Sequence, residues 1–244
     1  MKAAPEAQRR LLDLQAVDTT LAQLAHRRKS LPEIAEIDAV AREISALEDE
    51  RVRAQVVVDD LDRDIARLEK DIDQVRQRKD KDQKRLDAGG SLREQEGLQH
   101  ELTSLKRRQS ELEDAELELM EKRETAEAAL TEVRGRLAAA VERRTDAERR
   151  RDEAYTDIAK ELEFKTQARG PLAADLPADL VTLYDKIRTD TGMGAALFYA
   201  GRCGACRIEL YGADLNRVKS SPKDEVVRCE ECRRIMVRTS ESGL

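Results

Sequence analysis

Large aromatic side chains are scarce in this sequence, which has no Trp, two Phe and four Tyr among 244 residues. A compact globular core of that size normally contains more aromatic rings. Charged residues make up 39% of the chain, and the apolar residues are mostly Leu, Ala, Val and Ile. This mixture predicts long amphipathic helices or coiled coils rather than an ordinary globular domain.

Membrane and export signals are missing as well. No apolar run approaches the roughly 18–20 residues that a membrane-spanning helix needs, and the N-terminus lacks the apolar core of a signal peptide. The net charge of −6 excludes a uniformly basic nucleic-acid binder but leaves room for a local basic patch. We therefore expect a cytoplasmic protein with no membrane partner, and in that compartment paired cysteines are metal ligands more often than disulfides.

Signatures of catalysis are also absent. The two histidines, His26 and His100, lie on predicted helices far from every cysteine. The sequence contains no phosphate-binding glycine loop, no nucleophile elbow and no Cys/His pairing. We expect a protein that is not an enzyme and has no small-molecule substrate.

Two heptad repeats occupy most of the chain. Alternating steps of three and four residues from Ile37 to Leu86 visit fifteen positions, of which twelve are apolar. The same steps from Leu98 to Ile158 visit eighteen positions, of which thirteen are apolar. This seven-residue period predicts two helices of a left-handed coiled coil.

Residues 87–91, between the two repeats, predict that the chain reverses. Gly89 and Gly90 permit the left-handed backbone of a helix end. Ser91 can cap the next helix, and Glu94 stands where it completes a capping box. The two repeats should therefore pair antiparallel, as helices of about 70–80 residues in a rod of roughly 100–120 Å.

Eight polar residues interrupt the apolar seam of this predicted hairpin. Long side chains can reach out of a thin two-stranded core, or polar groups can set the register. A binding face along the rod is the alternative. The eight residues are Arg51, Lys79, Asp82, Gln109, Glu116, Arg123, Arg144 and Arg151.

All four cysteines lie near the C-terminus, in the pairs Cys203/Cys206 and Cys229/Cys232, with 22 residues between the pairs. Zinc prefers four tetrahedral ligands, and each C-x-x-C turn can aim two sulfurs at one ion. The stretches "RIELY", "EVVR" and "RIMVR" alternate as strands do, with a turn at "SSPKD". These features predict a zinc ribbon with one structural Zn²⁺. A redox dithiol pair would need a βαβ context, which is absent.

The predicted fold class is mainly α, a long antiparallel coiled-coil hairpin followed by a small C-terminal β zinc ribbon. The hairpin spans residues 1–168, with a break near residues 30–33 because Pro32 disfavours a helix interior. Residues 169–194 form a linker with a short helix, and residues 195–244 form the ribbon. The ribbon alone is too small for a self-sufficient core, so metal binding should supply folding free energy.

The predicted ribbon is mildly basic, with nine Lys or Arg and six Asp or Glu over residues 199–238. Its arginines can simply offset the charge of the thiolates. The alternative is a surface that contacts phosphates, with tyrosines stacking on single-stranded RNA. The candidate contact residues are Arg202, Arg207, Arg228, Arg233, Arg234, Tyr199 and Tyr211. Arg207 and Arg233 also stand where zinc knuckles often have Gly, which predicts slightly strained turns.

Four stretches resemble a bacterial family of C4-type zinc-ribbon proteins with a coiled-coil hairpin, which includes flagellar-associated, chaperone-like proteins. They are "SLREQEGLQHEL", "LPADLVTLYDKIR", "RCGACRIEL" and "VVRCEECRRIMV". In the first, Leu98, Gln99 and Glu101 match the family's tip motif, and the four cysteines match its zinc ligands. Some members are implicated in binding an alternative sigma factor and mRNA. The resemblance implies an adaptor or chaperone-like role.

We therefore predict an adaptor that binds a protein partner, whose identity and stoichiometry the sequence does not specify. The hairpin tip around Arg93–Glu101 is one candidate contact, and the ribbon is another. The alternative is an RNA- or DNA-binding protein that acts through the ribbon. A purely structural spacer is the third hypothesis.

Overall fold

The structure of the protein is a computed structural model, and it describes residues 1–243. The chain divides into two compact units. Unit 1 contains Met1–Ile34 and the chain from Arg149 onward, and unit 2 is Ala35–Glu148. The elements are α1 (Pro5–Lys29), α2 (Pro32–Asp87), α3 (Leu92–Ala174), α4 (Ala178–Thr191), β1 (Ala195–Tyr199), β2 (Arg202–Cys203), α5 (Gly212–Ser220), β3 (Val227–Arg228), β4 (Ile235–Val237) and a 3-10 turn (Ser240–Ser242).

Unit 2 is an antiparallel pair of helices formed by α2 and α3, as the two heptad repeats predict. Ion pairs between the helices show the register: Arg76 meets Glu113 at 2.7 Å, and Arg143 meets Glu43 at 2.7 Å. Seam residues such as Leu47 are buried between the helices. The predicted coiled-coil hairpin is therefore confirmed.

The reversal between α2 and α3 has the predicted capping chemistry. Gly89 adopts a left-handed backbone with φ of +81°, a conformation that costs Gly little. The Ser91 backbone N–H donates to Glu94 Oε2 at 3.0 Å, and the Glu94 N–H lies 3.4 Å from Ser91 Oγ. Hydrogen bonds from the Ser91 hydroxyl and backbone lower the pKa of Glu94. This capping box orders the turn and the first residues of α3.

Most polar seam residues have partners close by. Lys79 donates to Gln109 at 2.8 Å, and Arg123 pairs with Glu127 at 3.0 Å. Asp82 is buried in the seam with guanidinium nitrogens of neighbouring arginines at 3.7 and 3.8 Å. These contacts agree with the interpretation that polar groups reach out of a thin core or set its register.

In unit 1, the first helix ends at Lys29 and the second begins at Pro32. The predicted linker over residues 169–194 is wrong at its start, because α3 continues as a helix to Ala174 with Pro171 inside it. Leu172 and Ala173 pack against a core built on α1 and α4. That packing offsets the hydrogen bond that a proline removes from the helix.

The C-terminal strands form a four-stranded sheet in the order β2-β1-β4-β3. β1 and β4 are parallel, and the other two pairs are antiparallel. The predicted strand "RIELY" is wrong, since only Glu209 forms an isolated bridge, with Arg202. Between the predicted strands "RIELY" and "EVVR" the chain contains α5, which forms because Val218 is buried and Leu215 packs beside it.

The ribbon shares its core with the helices of unit 1. Ala195 and Ile235, from the central strands, are in one buried cluster with Leu11, Leu14 and Leu180. A boundary at residue 195 would cut through this cluster. Part of the ribbon sheet thus packs on helices, while Cys203 and Cys229 lie in a second cluster with Phe198 and Val218. Metal binding is therefore not the only interaction that can stabilise the ribbon.

The N-terminal residues pair with the segment just before β3, where Lys2 and Glu225 form an isolated antiparallel bridge. The Ala3 N–H donates to the Asp224 carbonyl at 2.7 Å, and the Val226 N–H donates to the Met1 carbonyl at 3.0 Å. The buried Gln8 donates to the Lys223 carbonyl at 3.1 Å. Residues near the start of the sequence are thus hydrogen-bonded to residues 223–226.

Candidate metal centre

Two loops of the same geometry carry the four cysteines. In the first knuckle, residues 203–208, the Arg207 N–H donates to the Cys203 carbonyl at 2.7 Å. In the second knuckle, residues 229–234, the Arg233 N–H donates to the Cys229 carbonyl at 2.9 Å. The first knuckle needs Gly204, because a Cβ at that position would lie 2.5 Å from the Leu197 carbonyl oxygen. Each knuckle presents its two sulfurs on one side.

The four sulfurs are close enough to share one ion. Sγ of Cys203 and Cys232 are 3.8 Å apart, and Sγ of Cys206 and Cys229 are 3.9 Å apart. All four lie within 4.8 Å of one another. A tetrahedron with Zn–S bonds of about 2.3 Å has sulfur–sulfur edges of about 3.8 Å, whereas a disulfide needs about 2.05 Å. The residues present fit one zinc ion with four thiolate ligands.

The protein environment shifts the pKa values of three of the thiols, and not all in the same direction. Burial raises the pKa of Cys203 to about 12 and also raises the pKa of Cys229. Burial acts the same way on Cys232, but the Arg234 backbone N–H and the neighbouring thiols outweigh it and lower that pKa. Zinc binding therefore displaces protons from buried thiols, and four protein ligands leave no open position for water or substrate.

Comparison with known proteins gives the same arrangement. The model of the CT398-like coiled-coil hairpin domain matches residues 14–192, and the model of the C4-type zinc ribbon domain matches residues 202–236. This chain belongs to the CT398-like coiled-coil hairpin family. Its C4-type zinc ribbon, with four cysteines grouped in space, fits one structural zinc ion.

Relatives of similar length are found in mycobacteria. An uncharacterized protein of Mycobacterium tuberculosis is 39% identical over 239 residues, with 98% of each chain covered. A solved structure from Mycobacterium smegmatis is 36% identical, covers 98% of this chain and 100% of its own, and has a TM-score of 0.86. CT398 from Chlamydia trachomatis is 20% identical, covers 96% of this chain and 98% of its own, and has a TM-score of 0.67, so it shows likeness of fold.

Two of the five predicted contact arginines are in surface ion pairs. Arg202 meets Glu209 at 2.7 Å, and Arg233 meets Glu230 at 3.5 Å. Both pairs are exposed, so each contributes little to stability. Their guanidinium groups remain at the surface and could exchange these partners for others.

The other three arginines differ in their surroundings. Arg228 Nε donates to the Arg233 carbonyl at 2.8 Å, and Arg234 donates to the Thr191 carbonyl at 2.7 Å. Arg234 thereby braces the second knuckle against the end of α4. Arg207 is exposed, and its guanidinium group has no acceptor among the described residues. The role of these arginines in partner binding stays a prediction, and Arg234 is its weakest candidate.

The two predicted tyrosines are exposed and flank the first knuckle in the chain. Tyr199 is 57% exposed and Tyr211 is 69% exposed. Tyr199 is paired in register with Arg202, and Tyr211 is hydrogen-bonded to Glu209, the partner of Arg202. We call Tyr199, Tyr211 and the exposed Ile208 the knuckle patch.

The hairpin-tip candidates are accessible as well. Arg93, Gln99 and Leu92 are exposed, and Leu98 is half-buried. No helix in the described part of the chain combines the length and the apolar character needed to cross a bilayer.

Unit 1 contains a buried polar cluster beside the ribbon, which the sequence did not indicate. Asp18 accepts hydrogen bonds from Arg169 Nε at 2.7 Å and from the Tyr184 hydroxyl at 2.9 Å. Gln15 Oε1 accepts from the Gly194 N–H at 2.7 Å, directly before β1. Burial, then the hydrogen bond to Asp18, raises the pKa of Tyr184 well above its ordinary value. The cluster joins α1, α3 and α4 to the start of the sheet.

Arg238 is a second residue whose role the sequence did not indicate, and it holds the loop between α5 and β3. Arg238 donates to the carbonyls of Ser221 at 2.7 Å, Pro222 at 2.6 Å and Glu225 at 2.8 Å. Burial lowers the pKa of its guanidinium group. Because its three carbonyl acceptors belong to one loop, Arg238 has a structural role. In the sequence it is a single arginine after a strand, and nothing there indicates this role.

The knuckle arginines lead to a prediction on stability. Arg207 and Arg233 have φ of 62° and 61°, a backbone region that costs a non-glycine residue about 1–2 kcal/mol. Arg207→Gly should therefore bind zinc more tightly than Arg207→Ala, by up to about tenfold in chelator competition. The two variants lack the same side chain, so their difference isolates the backbone. Equal zinc affinities would show that the left-handed turn is not strained.

Proposed function

We propose that the protein is a non-enzymatic cytoplasmic adaptor that binds a macromolecular partner through the ribbon and the hairpin tip. The observation that carries this proposal is the knuckle patch, whose two exposed tyrosines neighbour the Arg202–Glu209 pair, Tyr199 through strand pairing with Arg202 and Tyr211 through Glu209. Tyr and Arg are enriched in the residues that dominate protein interfaces. A zinc ion with four protein ligands serves as a scaffold for such a patch rather than as a reaction centre.

The tip of unit 2 is the second proposed contact. Its capping box orders the turn, so Arg93 and Gln99 are presented on a defined backbone. A preorganised contact loses less conformational entropy on binding than a flexible one. We expect neither a membrane nor a small-molecule substrate among the partners.

Affinity capture from the cell in which the protein naturally occurs tests the proposal, with protein and nucleic acid identified together. The full chain should return a stoichiometric protein that is lost with the double substitution Tyr199→Ala and Tyr211→Ala. Phe164→Ala, which removes another exposed aromatic ring on α3, is the matched control and should retain it. If the wild-type chain returns no stoichiometric partner, the adaptor proposal is contradicted and the hypothesis of a purely structural spacer is favoured.

Nucleic-acid binding through the ribbon is the second candidate function. The Arg207 guanidinium group has no acceptor among the described residues, and Arg207 lies on the knuckle that the exposed tyrosines flank. Guanidinium groups contact phosphates, and aromatic rings stack on unpaired bases. Purified protein should then retain RNA at low salt, lose it steeply as salt rises, and lose it with Arg207→Glu. Protein without retained RNA at low salt would remove this candidate.

A further inference from the structure

Charge changes sign along the hairpin of unit 2. Residues 76–108, around the turn, contain ten Lys or Arg and six Asp or Glu. On α3, residues 109–132 contain two Lys or Arg and nine Asp or Glu. On α2, residues 59–75 contain three Lys or Arg and seven Asp or Glu. The contact of Arg76 with Glu113 places this segment beside the acidic part of α3. The hairpin has a basic distal end that adjoins an acidic middle.

A strip of exposed residues on α3 crosses this boundary. Leu92 and Leu117 are large and apolar and are 76% and 59% exposed. Thr103, Ser110 and Ala128 are small or short and also exposed. Seven and eleven residues are close to two and three helical turns, so these five positions lie along one side of the helix. We call them the α3 strip.

The spacing of the α3 strip is the same in both directions from Ser110. Thr103 and Leu117 are seven residues away on either side, and Leu92 and Ala128 are eighteen away. A two-fold axis through Ser110 would place each leucine of one copy against a smaller residue of the other. The same axis lies at the point where the charge changes sign.

We propose that two copies of the chain associate antiparallel through the α3 strip, about a two-fold axis at Ser110. Such an isologous contact uses the same surface on both copies. It lays the basic distal end of each hairpin on the acidic middle of the other. It also covers Leu92 and Leu117, which are otherwise exposed to water.

One ion pair gives this interface its register. Lys106 and Asp114 each lie four residues from Ser110, on opposite sides of the axis, and both are exposed. Neither has an ion-pair partner among residues 1–243. The two-fold axis brings Lys106 of each copy to Asp114 of the other, so the pair forms twice.

Sedimentation equilibrium of the full zinc-bound chain tests the proposal by charge exchange. Wild-type protein should show a monomer–dimer equilibrium that weakens as salt rises. Lys106→Glu and Asp114→Lys should each weaken dimerisation about tenfold or more, because each creates two like-charge contacts, and the double variant should restore it. Lys122→Glu, an exposed lysine of α3 outside the strip, should have less effect. A wild-type monomer at every concentration, or no rescue in the double variant, would overturn the proposal.

A crosslink tests the position of the axis independently. With Ser110→Cys, a mild added oxidant should join the two copies by a disulfide, since the two thiols meet at the axis. Ser104→Cys, also exposed but on another side of α3, is the matched control and should crosslink far more slowly. Equal rates would contradict the axis. If wild-type protein is monomeric and Leu92→Ser instead loses a captured protein, the strip binds a different partner and the proposal fails.

Discussion

Removal of zinc is expected to unfold both knuckles and α5 while the helical core of unit 1 persists. Cys203 and Cys229 are buried in a cluster with Phe198 and Val218, and the metal is what joins the two cysteine pairs. Zinc bound by four thiolates contributes on the order of 10 kcal/mol or more. Amide exchange over residues 203–234 should therefore become fast after chelation. Helical circular dichroism should fall little.

The other half of the sheet should respond differently. Ala195, Ile235 and Val237 pack with residues of α1 and α4, away from the sulfurs. Their amides should keep part of their protection in the zinc-free protein. Cys203→Ser should reproduce the effect of chelation, whereas Ala205→Ser, between two ligands of the same knuckle, should keep one equivalent of zinc. Unchanged exchange over residues 203–234 after complete chelation would disprove a structural role for the metal.

Asp18→Ala is expected to destabilise unit 1 by about 3 kcal/mol. The Asp18 side chain is 1% exposed and lies between the guanidinium groups of Arg169 and Arg188. Removing one member of a buried charge network typically costs about 3–5 kcal/mol, because the remaining charges lose their partner. Arg169 keeps its ion pair with Asp185 in this variant, so we expect a cost at the lower end of that range.

Urea unfolding monitored by amide exchange would measure this cost separately for unit 1. Asp18→Asn keeps the shape and one acceptor oxygen, so it should cost less than the alanine variant. Asp13→Ala removes an exposed carboxylate from the same helix and should change stability by less than about 0.5 kcal/mol. An effect of Asp18→Ala as small as that of Asp13→Ala would show that the cluster does not stabilise the protein.

Features that depend on local spacing could be predicted from the sequence. The seam from Ile37 to Leu86 follows from the period of one helix. The Ser91 and Glu94 capping box spans only four residues, and each C-x-x-C pair also spans four. In each case the chemistry lies within a turn or two of the chain, where side-chain geometry follows directly from backbone geometry.

Features that depend on contacts between distant parts of the chain could not be predicted from the sequence. The helix α5 was missed because its burial depends on Val218 meeting a sheet that the sequence does not place beside it. Asp18 lies on a polar-rich helix, and nothing local indicates that Arg169, 151 residues away, will reach it. The extension of α3 through Pro171 likewise depends on packing against α1.

The pairing of Met1 and Ala3 with Val226 and Asp224 constrains when the protein can finish folding. During synthesis the hairpin of unit 2 has all its residues long before the ribbon emerges from the ribosome. The first helix, by contrast, must wait for β1 and β4, which begin at residues 195 and 235. Contacts of such long sequence separation form slowly, so the apolar side of α1 stays exposed to water until β1 and β4 have been made.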